Sequence, residues 1–317
     1  MDDLKHSLKN HLRSAGYKIE IVSIHRLRDL RSEMGTLISN NDISKEFCDE
    51  KLSDFCFQIP EVLPAAKSII ITAIPQLKVT VEFSLNGVKI PVVIPPTYSS
   101  ETDGEFFEII SAFLAQHGYS VCNAFLPAKA LAVHAGLAFY GRNNIAYTND
   151  WGSYFKLKAF YTDMPCFSDN WQEFSVADRC KKCKSCINHC PTQAISQDRF
   201  LIKHERCLTY LNESINDFPE WVDPNWHHCL IGCMVCQDVC PLNQDLKDQS
   251  KAGCEFTEAE TRQILRSLAK DKLSGNIVTK LKRLDIFDEY IAIQRNLKAV
   301  ISKFGSISPH EKQQLVN

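Results

Sequence analysis

The sequence predicts a mixed α and β fold, α+β or α/β, in three parts: an α/β domain over residues 1–170, a cysteine-rich segment over 171–250 and a helical segment over 251–317. Three observations carry this. Helical and strand patterns alternate through the first part, nine of the fourteen cysteines fall between Cys180 and Cys240, and helical periodicity resumes from Thr257.

Leu4, Leu8 and Leu12 recur at helical spacing, Gly16 supplies a stop, and the following YKIEIVSI reads as a first strand. Ser68 to Ile74 (SIIITAI) is a continuous, β-branched run closed by Pro75, the pattern of a strand covered on both faces. Val79 to Phe83 alternates, Asn86-Gly87 is a hairpin turn signal, and VKIPVVI resumes the strand with Pro91 marking an edge. FFEIISAFLAQH is helical with Gly118 as its stop, and YSVC forms a short strand ending at Cys122. Pro127 opens a helix through KALAVHA that Gly136 closes. A polar GRNN loop follows, then apolar stretches around Ile145 to Tyr147 and Tyr154 to Tyr161. Thr257 and Glu260 form a capping box ahead of ILRSLAKDKL, and Glu289 to Lys303 is another helix.

A chain of 317 residues, 44% hydrophobic, can bury a full core, and its formal net charge of −2 gives no global attraction to nucleic acid or acidic membrane. The charged N-terminus MDDLKHSLKN is no secretory signal, and no apolar run is long enough to span a bilayer. A soluble, cytoplasmic protein with no membrane partner is expected. In a reducing compartment, clustered cysteines argue for metal rather than disulfides.

Cys180, Cys183, Cys186 and Cys190, followed by Pro191, make C-x2-C-x2-C-x3-C-P, the bacterial ferredoxin run in which three thiolates hold one [4Fe–4S] cluster and the fourth reaches its neighbour. Cys233, Cys236 and Cys240 with Pro241 repeat that pattern without its first cysteine. Cys207 or Cys229 must supply the missing ligand. Reciprocal crossing gives cluster one Cys180, Cys183, Cys186 and Cys240, and cluster two Cys190, Cys233, Cys236 and one of those two. Structural zinc is the alternative, but zinc sites present paired C-x2-C knuckles rather than triplets ending in Cys-Pro. His227 and His228 are left without a metal to bind, His134 reads as a satisfied helix-face histidine, and the KLKR run from Lys280 to Arg283 as a solvated helix face. The cysteines outside these runs, Cys48, Cys56, Cys166 and Cys254, read as structural.

Over about residues 60–245 the chain resembles the epoxyqueuosine reductases and, more distantly, the reductive dehalogenases. The resemblance is carried by LPAAKSIIITAIP (63–75), AVHAGLAFYGRNN (132–144), GSYFKLKAFYTDMP (152–165), CPTQAI, ERCLTYLNES and GCMVCQDVCPLN. It implies a nitroreductase-like α/β domain holding base-off cobalamin, followed by a double [4Fe–4S] ferredoxin-like domain. It also favours Cys207 over Cys229, because ERCLTYLNES matches the family's isolated ligand. Electrons from a reductant such as a ferredoxin or flavodoxin would pass through both clusters to cobalt, and no D-x-H-x-x-G motif is present to supply a histidine below it. The implied cofactor-binding residues are Cys122, Gly141, Arg142, Asn143, Asn144, Gly152, Ser153 and Tyr154.

This sequence departs from the family at two places. The family's acidic residue, which delivers a proton during epoxide reduction, aligns with Cys122, so the implied proton donors are Cys122, Tyr140 and Tyr147. Only about seventy residues follow Pro241, where tRNA-acting members continue into helical repeats, so tRNA is a doubtful partner and a small molecule or a corrinoid the expected one. The resulting expectation is a cobalamin-dependent iron–sulfur reductase of unknown substrate. Its alternatives are a protein that transfers electrons or handles a corrinoid without an organic substrate, and a two-cluster ferredoxin domain fused to an α/β domain that binds no cobalamin.

Overall fold

The computed structural model describes residues 2–40, 42–98, 102–174, 176–266 and 268–303. In chain order they form α1 (Asp2–Ser14), β1 (Lys18–Ser23), α2 (Arg26–Ser39), α3 (Lys45–Phe47), β2 (Ser68–Pro75), β3 (Lys78–Leu85), β4 (Val88–Ile94), α4 (Asp103–Gln116), β5 (Val121–Ala124), α5 (Ala128–His134), β6 (Phe139–Tyr140), β7 (Ala146–Tyr147) and β8 (Phe155–Thr162). They continue through α6 (Ser185–His189), α7 (Leu208–Glu213), α8 (Val235–Asp238), β9 (Ser250–Phe256), α9 (Glu258–Leu265), α10 (Gly275–Arg283) and α11 (Tyr290–Ser302). The chain divides into two compact units, Met1–Gln76 with Thr102–Cys183, and Leu77–Glu101 with Lys184–Asn317.

The first unit is built on a sheet of order β1-β2-β8-β5 in which every neighbouring pair is antiparallel. The fold is therefore α+β, and the α/β expectation fails at this point. Alternating helices and strands do not dictate parallel pairing, because a helical connection can equally return the chain to an antiparallel neighbour. β2 is a central strand: Ile69, Ile70, Ile71, Ala73 and Ile74 are all fully buried. Each isoleucine contributes on the order of 1.5–3 kcal/mol by leaving water. Ile70 and Ile74 share one face with Ile19, Ile21 and Phe160, covered by Leu8 and Leu12 of α1 and by Phe106, Ile110 and Leu114 of α4. Helix α5 packs against β2 and β8.

The second unit has a three-stranded sheet of order β4-β3-β9. Its β3–β4 hairpin turns at Asn86 and Gly87, both with positive φ (51° and 75°), as a type I′ turn demands. Pro91 lies on β4, an edge of that sheet. β9 then adds in parallel to β3, and Phe256 stacks on Phe83 with ring centroids 4.6 Å apart. Apolar faces of α9, α10 and α11 complete this core through Ile264, Ile277, Leu281, Ile293 and Leu297.

This division differs from the three expected segments, since the hairpin at 78–94 belongs with the C-terminal helices rather than with the first 170 residues. The reason is β9, whose SKAGCEF carries little apolar alternation and gives no local sign that it pairs with β3. The capping box is present, the Thr257 hydroxyl accepting from Glu260 N–H while the Glu260 carboxylate accepts from Thr257 N–H. Lys280 of the KLKR run is not simply solvated, because its ammonium donates to both Glu260 carboxylate oxygens, at 2.7 and 2.9 Å. Among the described residues, no helix is long and apolar enough to cross a membrane.

Candidate iron–sulfur centre and its surroundings

Two short helices organise the cysteine-rich segment. Cys186 lies in α6 and Cys236 in α8, and the two helices pack against each other. Each ends in the same Cys-Pro turn. Gln193 N–H donates to Cys190 O at 3.1 Å, and Asn243 N–H donates to Cys240 O at 3.0 Å. Proline fixes φ after each cysteine and cannot continue a helix, so the backbone turns sharply where the last thiol of each run must be presented. The repeat inferred from spacing thus shares this hydrogen bond, although Gln193 takes a positive φ of 56° where Asn243 ends a 3-10 turn.

Cys207 precedes α7 in extended conformation, and the Thr209 and Tyr210 N–H groups donate to its sulfur. Val235 N–H donates likewise to Cys233 Sγ. Burial pushes both thiols upward, and each lies within electrostatic reach of Cys190. Cys190, Cys207 and Cys233 therefore converge within the second unit, with amide donors aimed at two of their sulfurs. Such a donor set fits a bound cluster: thiols held neutral by burial become ligands once a cation compensates the thiolate charge, and N–H donors to sulfur then help to set the potential.

Cys229 has a different setting. It is fully buried, bridges Val93 of β4 through its backbone, and its thiol is also raised by burial, yet it too lies near Cys233. His228 beside it is neutral by its partners: a carbonyl, Trp226 O, accepts from Nδ1, and Nε2 accepts from Met234 N–H. His227 is fully buried against Phe218, and burial lowers its pKa to about 4. Cys180 and Cys183 belong to the first unit, and Cys186 and Cys240 to the second. Among the described residues, no three His, Cys, Asp or Glu side chains are grouped as they would be around a single metal ion.

In the first unit, Cys122 on β5 stands directly opposite Tyr161 on β8. Opposed residues of an antiparallel pair project from the same face, so the thiol and the phenol are neighbours. Tyr161 donates to Cys56 O at 3.2 Å, and burial, followed by Cys56 and Cys122, raises its pKa. Burial also raises the Cys122 thiol, which consequently stays protonated at neutral pH. Sequence reasoning missed Tyr161, whose signal is available only once the strand register is known.

The GRNN loop closes the β6–β7 hairpin. Asn144 N–H donates to Gly141 O at 3.1 Å, and Asn144 takes a positive φ of 58°, giving a three-residue loop with its αL residue last. Asn143 is buried; its Nδ2 donates to Tyr147 Oη at 2.8 Å. Asn144 accepts from Lys129 through both its carbonyl and its side-chain oxygen, each at 3.0 Å. At Gly141 a Cβ would lie 2.6 Å from the Tyr147 ring, so only glycine fits there. Arg142 Nε donates to Cys180 O at 3.4 Å. Tyr140, Tyr147, Ser153 and Tyr154 are all buried. Tyr140 packs edge-on to Phe174, and burial and then Glu33 raise its pKa. Cys122 lies on the four-stranded sheet while both tyrosines lie on the hairpin, and α5 touches β8, β6 and β7.

Residues 179–243 match the family model of a 4Fe-4S double cluster binding domain. An epoxyqueuosine reductase of Cyclobacterium marinum is 38% identical over 117 residues, 36% of each chain. That of Bacillus subtilis is 32% identical over 119 residues, 38% of this chain and 30% of its own. Among solved structures, epoxyqueuosine reductase from Bacillus subtilis superposes with a TM-score of 0.67 at 20% identity, over 96% of this chain and 82% of that one. The chain is epoxyqueuosine reductase-like.

Sequence similarity to these curated epoxyqueuosine reductases spans only about a third of their length, whereas the likeness of fold extends over both units. Another epoxyqueuosine reductase, with a TM-score of 0.67 and 20% identity over 95% of this chain and 82% of that one, was solved with an epoxyqueuosine-modified tRNA-Tyr stem loop. A near-neutral net charge excludes only a global pull on nucleic acid and says nothing about a local contact.

Proposed function

We propose that this protein is an iron–sulfur reductase of the epoxyqueuosine reductase kind, removing an epoxide oxygen from a modified nucleoside of tRNA. The observation that carries the reading is the double-cluster match over 179–243 together with the convergence of Cys190, Cys207 and Cys233. Converting an epoxide to an alkene consumes two electrons and two protons and releases water. A [4Fe–4S] cluster supplies one electron at a time, so paired clusters suit the stoichiometry. In this reading Cys180, Cys183, Cys186 and Cys240 hold the first cluster, and Cys190, Cys207, Cys233 and Cys236 the second. A ferredoxin or flavodoxin is the matching donor.

Cys122 is the proton donor on this account. Its burial keeps the proton on sulfur, and Tyr161 stands across the strand pair from it. Tyr140 and Tyr147 serve instead to pack the hairpin. Cobalamin is the acceptor that the resemblance implies. Of the side chains expected to anchor it, Asn143 Nδ2 is engaged by Tyr147 and Asn144 Oδ1 by Lys129.

The second reading, electron transfer or corrinoid handling without an organic substrate, is favoured by the thiol standing where the family has a carboxylic acid. One assay separates the two. Anaerobically reconstituted protein, supplied with cobalamin and a chemical reductant, is incubated with an epoxyqueuosine-modified tRNA-Tyr stem loop and the nucleoside is weighed by mass spectrometry. Loss of one oxygen atom, abolished by Cys207→Ser and slowed about 10²–10⁴-fold by Cys122→Ser, is the expected result. Reduced clusters with no oxygen loss would establish the second reading.

A further inference from the structure

We propose that Tyr98 is a positioning residue for the second cluster, tying the helix that begins after Cys207 to the turn that leads into Cys233. The inference rests on the two-cluster reading and deepens it. Tyr98 follows β4 in a 3-10 turn, Pro96–Tyr98, and its hydroxyl donates to Glu213 Oε1 at the end of α7. Its ring covers Gly232, where φ is +69° and a Cβ would stand 2.8 Å from the ring and 3.0 Å from the hydroxyl oxygen. Asn212, also on α7, donates to Gly232 O at 2.7 Å. Asn296 of α11, fully buried, donates to Asn212 O at 2.8 Å and to Leu230 O at 3.0 Å.

Two adjacent residues of α7 thus grip the residue before Cys233, one directly and one through Tyr98. Tyr98 also lies within electrostatic reach of the Cys207 and Cys229 sulfurs. Packing alone would be met by phenylalanine. A hydroxyl and a carboxylate here carry a desolvation cost that an apolar pair would avoid, and they place a charge whose field acts on any anionic cluster nearby. The hydrogen bond from Tyr98 disperses part of the Glu213 charge. Removing the donor should make that field more negative and favour the oxidised cluster. Removing the charge should do the reverse.

Redox titration followed by electron paramagnetic resonance tests this in the reconstituted full chain. Tyr98→Phe is expected to lower the midpoint potential of one cluster, and Glu213→Gln, which keeps an acceptor oxygen, to raise it, while the other cluster stays at its wild-type value. Retention of both clusters with neither potential moved, or with both moved together, would overturn the proposal. Should Tyr98→Phe fail to assemble, the sign of the Glu213→Gln shift decides alone. A wild-type chain that holds fewer than two clusters would instead refute the two-cluster reading itself, so the two failures are distinguishable.

Discussion

His134 shows how a single side chain can join distant segments of the first unit. Its Nδ1 faces Gln172 O at 2.6 Å and its Nε2 faces Glu33 Oε2 at 2.8 Å, while Trp171 stacks on the ring at 4.7 Å. Both partners are acceptors, so the imidazolium satisfies both bonds and the neutral ring only one. The Glu33 hydrogen bond raises the His134 pKa against the opposing effect of burial. A raised folded-state value means stability that is complete below the unfolded pKa of about 6.5 and is lost as pH rises through the folded one. Thermal melting at a series of pH values should therefore show the wild type losing stability above about pH 6.5 relative to Glu33→Gln. Parallel curves for the two proteins would show that the pair does not titrate in this way. The expectation of a satisfied helix-face histidine holds, but its partner Glu33 lies a hundred residues away and left no local signal.

At the level of the element, glycines separate conformational need from mere tolerance. Gly87 takes φ +75° in the hairpin turn, whereas Gly35 sits within α2 with open space where a Cβ would go. Alanine should therefore act with opposite sign at the two positions: Gly35→Ala stabilises by about 0.5–1 kcal/mol, and Gly87→Ala destabilises by about 1 kcal/mol or more. Melting temperatures of the reconstituted variants check this, and a shift of the same sign in both would contradict the assigned turn. The elements legible in the sequence were those whose cause is local. SIIITAI forms a buried strand because five of its seven residues are β-branched, Asn-Gly turns because both residues accept positive φ, and Thr257 with Glu260 caps because each reaches the other's N–H. β9 and the Tyr98–Glu213 bond were illegible for the opposite reason. Each is set by pairing between residues more than a hundred positions apart, and neither SKAGCEF nor an isolated tyrosine after a strand announces its partner.

Over the whole molecule, the cysteine spacing and the double-cluster family match over 179–243 lead to the same conclusion by separate routes. Spacing alone paired the two Cys-Pro runs, and α6 and α8 then pack with matching turns, while the likeness to solved epoxyqueuosine reductases covers nearly the full chain. The choice between Cys207 and Cys229, open on spacing, rests on the resemblance: backbone N–H groups face both sulfurs and both lie near Cys233, but Cys207 also lies near Cys190, whereas the Cys229 backbone pairs with Val93 of β4. The side chains expected to hold a corrin were the least legible, because Asn143 braces its own hairpin and Asn144 engages Lys129 of α5.

The central claim is that these cysteines hold two iron–sulfur cubanes, and analysis of anaerobically reconstituted protein tests it most directly. About eight iron and eight sulfide per chain, falling to about four of each in Cys207→Ser and unchanged in Cys229→Ser, is the predicted result. Zinc in place of iron, or fewer than about eight of each in the wild type, would contradict it.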